Sequence, residues 1–253
     1  MNFDEVVGHH LLDHVLIPLG TVGGVRFDIT KHLLMIWASG ALLLLLGLLA
    51  RTRGRLGLLL RTGLEAAALY IRDRVVDPAM GHEGRRYLPY FLTLFFLILF
   101  CNLAGLIPGA ATATGNIAVT AGLSACTLGL IVTAGMRAQG PIAYLKHLVP
   151  SGLPWPVVPL IFVVETVGIF VKCFALTIRL FANMIAGHIV ALGFLSLIFI
   201  FGAVSQKAGL LVGVPVVAMV VFVYALEVMI CLLQAFIFTL LTAVFVGGGM
   251  HPH

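Results

Sequence analysis

Two apolar runs in this chain are too long for most folds. From Leu160 to Gly202 and from Leu211 to Val246 the residues are almost entirely Val, Ile, Leu, Phe, Ala and Gly. As continuous helices they would measure roughly 65 Å and roughly 54 Å at 1.5 Å per residue. A bilayer's hydrocarbon core is only ~30 Å thick and is crossed by ~20 residues. Each run must therefore break into a re-entrant hairpin or lie strongly tilted. Neither carries an internal Asn-Gly or Pro-Gly turn signal, and Pro215 stands near the start of the second. The pattern predicts two long tilted helices in a hairpin, joined by Ala203–Gly209.

Composition excludes a soluble enzyme. The chain is 61% hydrophobic and 10% charged, with a mean hydropathy of +1.13, which places it among polytopic membrane proteins. Spanning segments use most of the 253 residues. The expectation is an all-α single membrane domain over 1–253 with no soluble catalytic module. A pI near 9.3 does not point to nucleic acid, because most of the cations cluster in one loop region and no RNA or DNA motif is present. Cys101, Cys126, Cys173 and Cys231 stand alone in apolar stretches and read as buried free thiols. The polar, acidic first 32 residues lack the pattern of a cleavable signal peptide. His9, His10 and His14 read as solvated surface groups, and no cofactor is called for.

The remaining segments follow from hydropathy and charge. Residues 33–50 form the first span and end in Arg51, Arg53, Arg55 and Arg61. Residues 51–87 hold eight of the fifteen Lys and Arg, which assigns this loop to the inner side. Within it Leu64, Ala68, Ile71 and Val75 share one helical face, the mark of an amphipathic surface helix. Residues 88–107 and 117–134 are two further spans around a short uncharged turn at 108–116. A second inner loop, 136–159, carries Arg137, Lys146 and several prolines. Alternation then puts the N-terminus (1–32) outside and the C-terminus inside. The long helices occupy 160–202 and 211–246, for about five membrane-embedded helices in all.

After Arg86 only seven formally charged residues remain. Arg137, Lys146 and Lys207 are in loops. Glu165, Lys172 and Arg179 lie on the first long helix and Glu227 on the second. A cation at membrane depth costs at least ~2.5–3.5 kcal/mol, so Arg179 is expected to serve an ion, a substrate or a partner carboxylate. Glu165, Lys172 and Arg179 fall seven apart and share one stripe with only ~20° of drift per step; Asn183 continues it. Glu227 and Gln234 are likewise seven apart. His188 lies about 13 Å beyond Arg179 along a straight helix, and Glu165 about 21 Å before it. An imidazole and a carboxylate can carry protons near neutral pH, whereas a permanent guanidinium cannot. The order suits a proton path interrupted at its centre. Lys172 either orients the helix near the inner interface or binds lipid.

These residues resemble a known family. Ala175-Leu-Thr-Ile-Arg179-Leu-Phe-Ala-Asn183-Met-Ile-Ala-Gly187-His188 resembles the signature helix of subunit a of rotary F-type ATP synthases. Gln234-Ala-Phe-Ile-Phe-Thr-Leu-Leu-Thr is similar to that family's final helix. Asn102-Leu-Ala-Gly-Leu-Ile-Pro108, Asn116-Ile-Ala-Val-Thr120 and His9-His10-Leu add to the likeness, which runs over essentially the whole chain. The resemblance implies a stator, itself without catalytic chemistry, that delivers protons to a ring of c subunits. It works beside the b subunits of the peripheral stalk, other ATP synthase subunits and membrane lipids, most naturally in a bacterial inner membrane. It implies that Arg179 is the essential central cation and that Glu165 belongs to an inner half-channel. His188, Glu227, Asn183, Gln234, Asn102 and Asn116 would belong to an outer one. His188 and Glu227 stand where many members carry the acid first and the imidazole second, so the two types are exchanged here. The alternative from another class is a secondary transporter whose Arg179 grips an anionic substrate, although neither an internal repeat nor a mid-helix break is visible. A membrane enzyme would need HExxH or GxSxG, and neither occurs.

Overall fold

A computed structural model describes residues 15–22, 25–107, 112–147 and 156–250. Among these the membrane part is all-α, with five helices long and apolar enough to cross a bilayer. The order begins with strands β1 (Val15–Val22) and β2 (Val25–Thr30) and helix α1 (Lys31–Leu49). Then come α2 (Arg55–Ile71), a π-helical turn (Arg72–Val76), α3 (Asp77–Met80), a 3-10 turn (His82–Tyr87) and α4 (Leu88–Gly105). A 3-10 turn (Ala113–Gly115), α5 (Ile117–Gln139), α6 (Pro141–His147), α7 (Val158–Val204) and α8 (Gln206–Met250) follow. The sequence positions His9, His10 and His14, residues 108–111 of the 108–116 turn, and Pro150 and Pro154 lie outside the described residues.

Three features differ from the sequence reading. Strands β1 and β2 pair antiparallel within the polar N-terminal segment, to which the sequence reading assigned no secondary structure, with an irregular register between Pro18 and Thr21. Proline has no N–H for a ladder and belongs at such irregular places. The link between the long helices is a single non-helical residue, Ser205, not the stretch 203–209. A Cβ on Gly209 would run into the backbone of Gly202, so this glycine pair lets the two helices turn back at close range. Cys126 is exposed, while Cys101, Cys173 and Cys231 are buried.

The chain divides into two compact units. The first comprises residues 1–41, 98–117 and 180–234; the second comprises 42–97, 118–179 and 235–253. The second has an apolar core in which Ile71, Val75, Val76 and Met80 pack with Phe91 of α4, Ile131 and Ala134 of α5, Cys173 of α7 and Ala243, Val246 and Met250 of α8. Ile71 and Val75 belong to the apolar face noted in the sequence. The π-helical turn accommodates Pro78, which cannot donate to the carbonyl four residues back and whose ring would press on it. A Cβ on Gly247 would overlap the carbonyl oxygen of Ala79, and one on Gly135 would overlap the Tyr144 ring. Gln139 Nε2 donates to the carbonyls of Gly249 (2.9 Å) and Met250 (3.3 Å), satisfying acceptors that a helix leaves open at its C-terminus.

Outside these contacts the long helices are covered with exposed apolar side chains. Phe199, Leu211 and Val214 are 78%, 80% and 76% exposed, a surface that water does not tolerate but hydrocarbon does. Straight helices of 47 and 45 residues measure about 70 Å and 68 Å. Each is more than twice as long as an upright crossing needs.

Candidate functional site

The candidate polar residues fall into two groups with opposite surroundings. In the second unit, Glu165, Lys172 and Arg179 are all exposed. The face of α7 that packs inward is set by Cys173, Leu176, Thr177, Leu180 and Met184, spaced three and four apart as one side of a helix requires. The seven-residue stripe lies off that face. Lys172 Nζ sits 5.4 Å from the ring centroid of Phe245, a cation–π contact that the sequence reading did not foresee. Among the described residues no carboxylate pairs with Arg179 and no cation pairs with Glu165.

The first unit holds a buried polar cluster. Glu227 is 7% exposed and shares one stripe of α8 with buried Val216, Val220 and Gln234. Its carboxylate fills the space beside Gly187 of α7, where a Cβ would overlap Oε1. Its Oε2 is buried and has no hydrogen-bond partner among the described residues. The next residue of α7, half-buried His188, meets the Thr112 hydroxyl through Nε2 at 2.5 Å. The Thr112 hydroxyl also lies 3.5 Å from the carbonyl of Gly105, and its own carbonyl accepts from His32 Nδ1 at 3.0 Å. Beside them the Thr114 hydroxyl donates to Asn102 Oδ1 at 2.7 Å, while Asn102 Nδ2 is buried without a partner. Asn116 closes the short 3-10 turn, its N–H 3.2 Å from the Ala113 carbonyl.

Asn102, His188 and Glu227 thus share one unit with Asn116, the half-buried Asn183 and the buried Gln234, whereas Glu165 and Arg179 belong to the other. His188 is nine residues past Arg179, two and a half helical turns, so the two occupy opposite flanks of α7. A buried carboxylate oxygen and a buried amide N–H2 left without partners are unusual in a packed protein. They are groups that water can satisfy, accepting from the amide and donating to the carboxylate.

The comparisons with known proteins fit this chemistry. Residues 33–247 match the ATP synthase A chain family. The chain belongs to that family. It is 43% identical over 230 residues to ATP synthase subunit a of Myxococcus xanthus, covering 89% of this chain and 74% of the relative. It is 40% identical to ATP synthase subunit a 2 of Prosthecochloris aestuarii, over 96% of this chain and 78% of that one. It is also 40% identical to ATP synthase subunit a of Chloroherpeton thalassium, over 94% and 74%. Family membership makes the chain a proton-translocating, multi-pass subunit of the synthase's membrane sector, working among other ATP synthase subunits. It sets aside the self-contained anion transporter.

Four residues of the cluster escaped the sequence reading. Thr112 and Thr114 sat in a run of Ala, Thr and Gly that read only as a turn. Gly187 was noted within a motif but not as a space for a carboxylate. His32 was counted with a polar leading segment, though its place on the first turn of an apolar helix was a usable signal.

Proposed function

We propose that this subunit is a non-catalytic stator that loads and unloads protons on the membrane carboxylates of a rotating c-ring, with Arg179 between two offset aqueous half-channels. The observation that carries this is the state of Arg179. It is a permanent cation in the middle of a long apolar helix, exposed and unanswered by any described carboxylate of its own chain. Such a group is stable in a membrane only beside water or an acid supplied from elsewhere.

Protons reach the ring from outside through the cluster of Asn102, Asn116, His188 and Glu227, with Gln234 and Asn183 along the path. A protonated ring carboxylic acid can face lipid, where its anion could not. After nearly a full turn it meets the inner half-channel at Glu165 and loses its proton. Arg179 attracts the resulting carboxylate and prevents reprotonation by the short way round. Each charge crossing releases ~2.3 kcal/mol per 100 mV, which a leak past Arg179 would dissipate.

The topology that goes with this has the N-terminus outside and the C-terminus inside, in a bacterial inner membrane, with the b subunits of the peripheral stalk as neighbours. Two observations support it. The hydrogen bond from His32 to Thr112 brings the start of α1 and the turn before α5 to the same end. The arginine-rich segment from Arg51 to Arg61 follows the other end of α1, and such segments stay inside.

The test is Arg179→Ala in the whole synthase in native membranes. The expected outcome is complete loss of ATP-driven proton pumping and of ATP synthesis, with all subunits still co-purifying. Normal coupled synthesis would refute the proposal. The exchanged pair gives a second test. Swapping the residue types at 188 and 227 should keep more pumping than either single alanine, because one imidazole and one carboxylate remain; equal loss in all three would show that they do not act together.

A further inference from the structure

Resting on that reading of His188, we propose that Thr112 is the hydroxyl partner that stays bonded to His188 through its protonation cycle, and that His32 is the positioning residue that holds Thr112 in place. Three contacts converge on Thr112. Its hydroxyl meets His188 Nε2, its carbonyl accepts from His32 Nδ1, and a Cβ on Gly105 would overlap its side chain. Thr112 is 7% exposed and His32 5%, so water does not provide these bonds.

The chemistry selects these residue types. A hydroxyl both donates and accepts. It donates to Nε2 of an imidazole protonated only at Nδ1, and accepts from Nε2 of an imidazolium. A valine of the same shape does neither, and a carbonyl or carboxylate serves only the protonated nitrogen. Threonine therefore lets the ring gain and lose a proton without turning away from its partner. A backbone carbonyl, in contrast, can only accept, so the Nδ1 of His32 must carry hydrogen in both of its charge states. His32 is a fixed donor 80 residues away in sequence. It anchors the backbone of Thr112 just before the 3-10 turn Ala113–Gly115.

The experiment compares ATP-driven proton pumping in membranes holding the complete synthase, with subunit content measured in parallel. Thr112→Val should lower pumping about fivefold to tenfold, the rate equivalent of one lost hydrogen bond, whereas Thr112→Ser should keep most of it. His32→Leu should lower pumping several-fold, and His32→Asn, which keeps a donor near the Nδ1 position, should restore it. His32→Leu added to Thr112→Val should cause no further loss, since residues acting through one contact are not additive. Full pumping by Thr112→Val, failure of Thr112→Ser to rescue, or additive losses in the double variant would overturn the proposal. His188→Ala separates the two levels. If it abolishes pumping while Thr112→Val does not, this inference alone fails; if His188→Ala pumps normally, the role given to His188 fails first.

Discussion

The two units treat their polar side chains in opposite ways. In the first, His32, Thr112, His188, Thr114 and Asn102 find one another, and Glu227 settles against a glycine. In the second, the main cluster is apolar, and the buried polar groups are mostly threonine hydroxyls such as Thr177, Thr239 and Thr242 bonded back to their own helices. Among the described residues Arg179 and Glu165 are left on the surface without a partner of opposite charge. Burying a polar group stabilises nothing unless it is hydrogen-bonded, and in the first unit most of these groups find partners within the chain, the Glu227 Oε2 and the Asn102 Nδ2 excepted. Under the function proposed above, the second is half of a site whose other half a ring subunit would supply. A residue's partner, or the lack of one, is more telling here than its position along the helix.

Two glycines probe this contrast. At Gly187 a new Cβ would meet the far end of the Glu227 side chain, which can swing aside. Gly187→Ala should therefore leave assembly and thermal stability unchanged but lower proton pumping more than tenfold, since misplacing a reacting group by ~1 Å can cost about a hundredfold. Gly193, with nothing within 4 Å of its Cβ position, provides the control on the same helix. Unchanged pumping in Gly187→Ala would mean that the fit of the Glu227 carboxylate against α7 is incidental.

At Gly247 the obstacle is the carbonyl oxygen of Ala79, which cannot swing away without moving α3. Gly247→Ala should destabilise by about 1–3 kcal/mol, the usual range for overpacking. The usual gain of up to ~1 kcal/mol from replacing a helical glycine by alanine opposes this only in part. The measurement is the unfolding temperature of the purified complex, with Gly248→Ala, whose Cβ meets nothing, as control. The comparison sharpens if Gly187→Ala loses function at constant stability while Gly247→Ala does the reverse.

Hydropathy made the helices legible because a bilayer imposes one rule on every segment that crosses it. The stripe from Glu165 to Arg179 was legible for the same reason: charges are rare enough in such runs that their spacing stands out. The contacts that build the polar cluster were not. Thr112 and His32 are 80 residues apart and neither belongs to a periodic pattern, so only the packing of α1 against the turn before α5 joins them. The pairing of β1 and β2 escapes that rule, although Gly23-Gly24 before the alternating Val25, Phe27 and Ile29 is a hairpin signal. The polar character of the segment drew attention away from its alternation. Lys172 left two roles open and took a third, over the Phe245 ring, because a cation–π contact depends on a partner helix that sequence does not place.

The smallest expected effect concerns the exposed arginine-rich segment. Arg85 grips Asp77 with two hydrogen bonds, Nε to Oδ1 at 3.0 Å and a terminal nitrogen to Oδ2 at 2.7 Å, tying the 3-10 turn back to α3. The hydrogen bond from Arg85 is the main reason that the Asp77 carboxyl is held below its usual pKa. A group depressed in the folded state adds stability above its unfolded pKa, ~4 for aspartate, and the contribution disappears as pH falls through the lower folded value. Solvent reaches both side chains, so the contribution is that of a surface pair. Asp77→Asn should thus lower the unfolding temperature slightly at neutral pH, and the gap to the unsubstituted protein should narrow as pH falls below ~4. A gap that stays constant across that range would mean that the pair does not act through the charge of Asp77. The same variant should pump protons normally, because this bond belongs to the unit's scaffold and touches neither the stripe of Arg179 nor the cluster around Thr112.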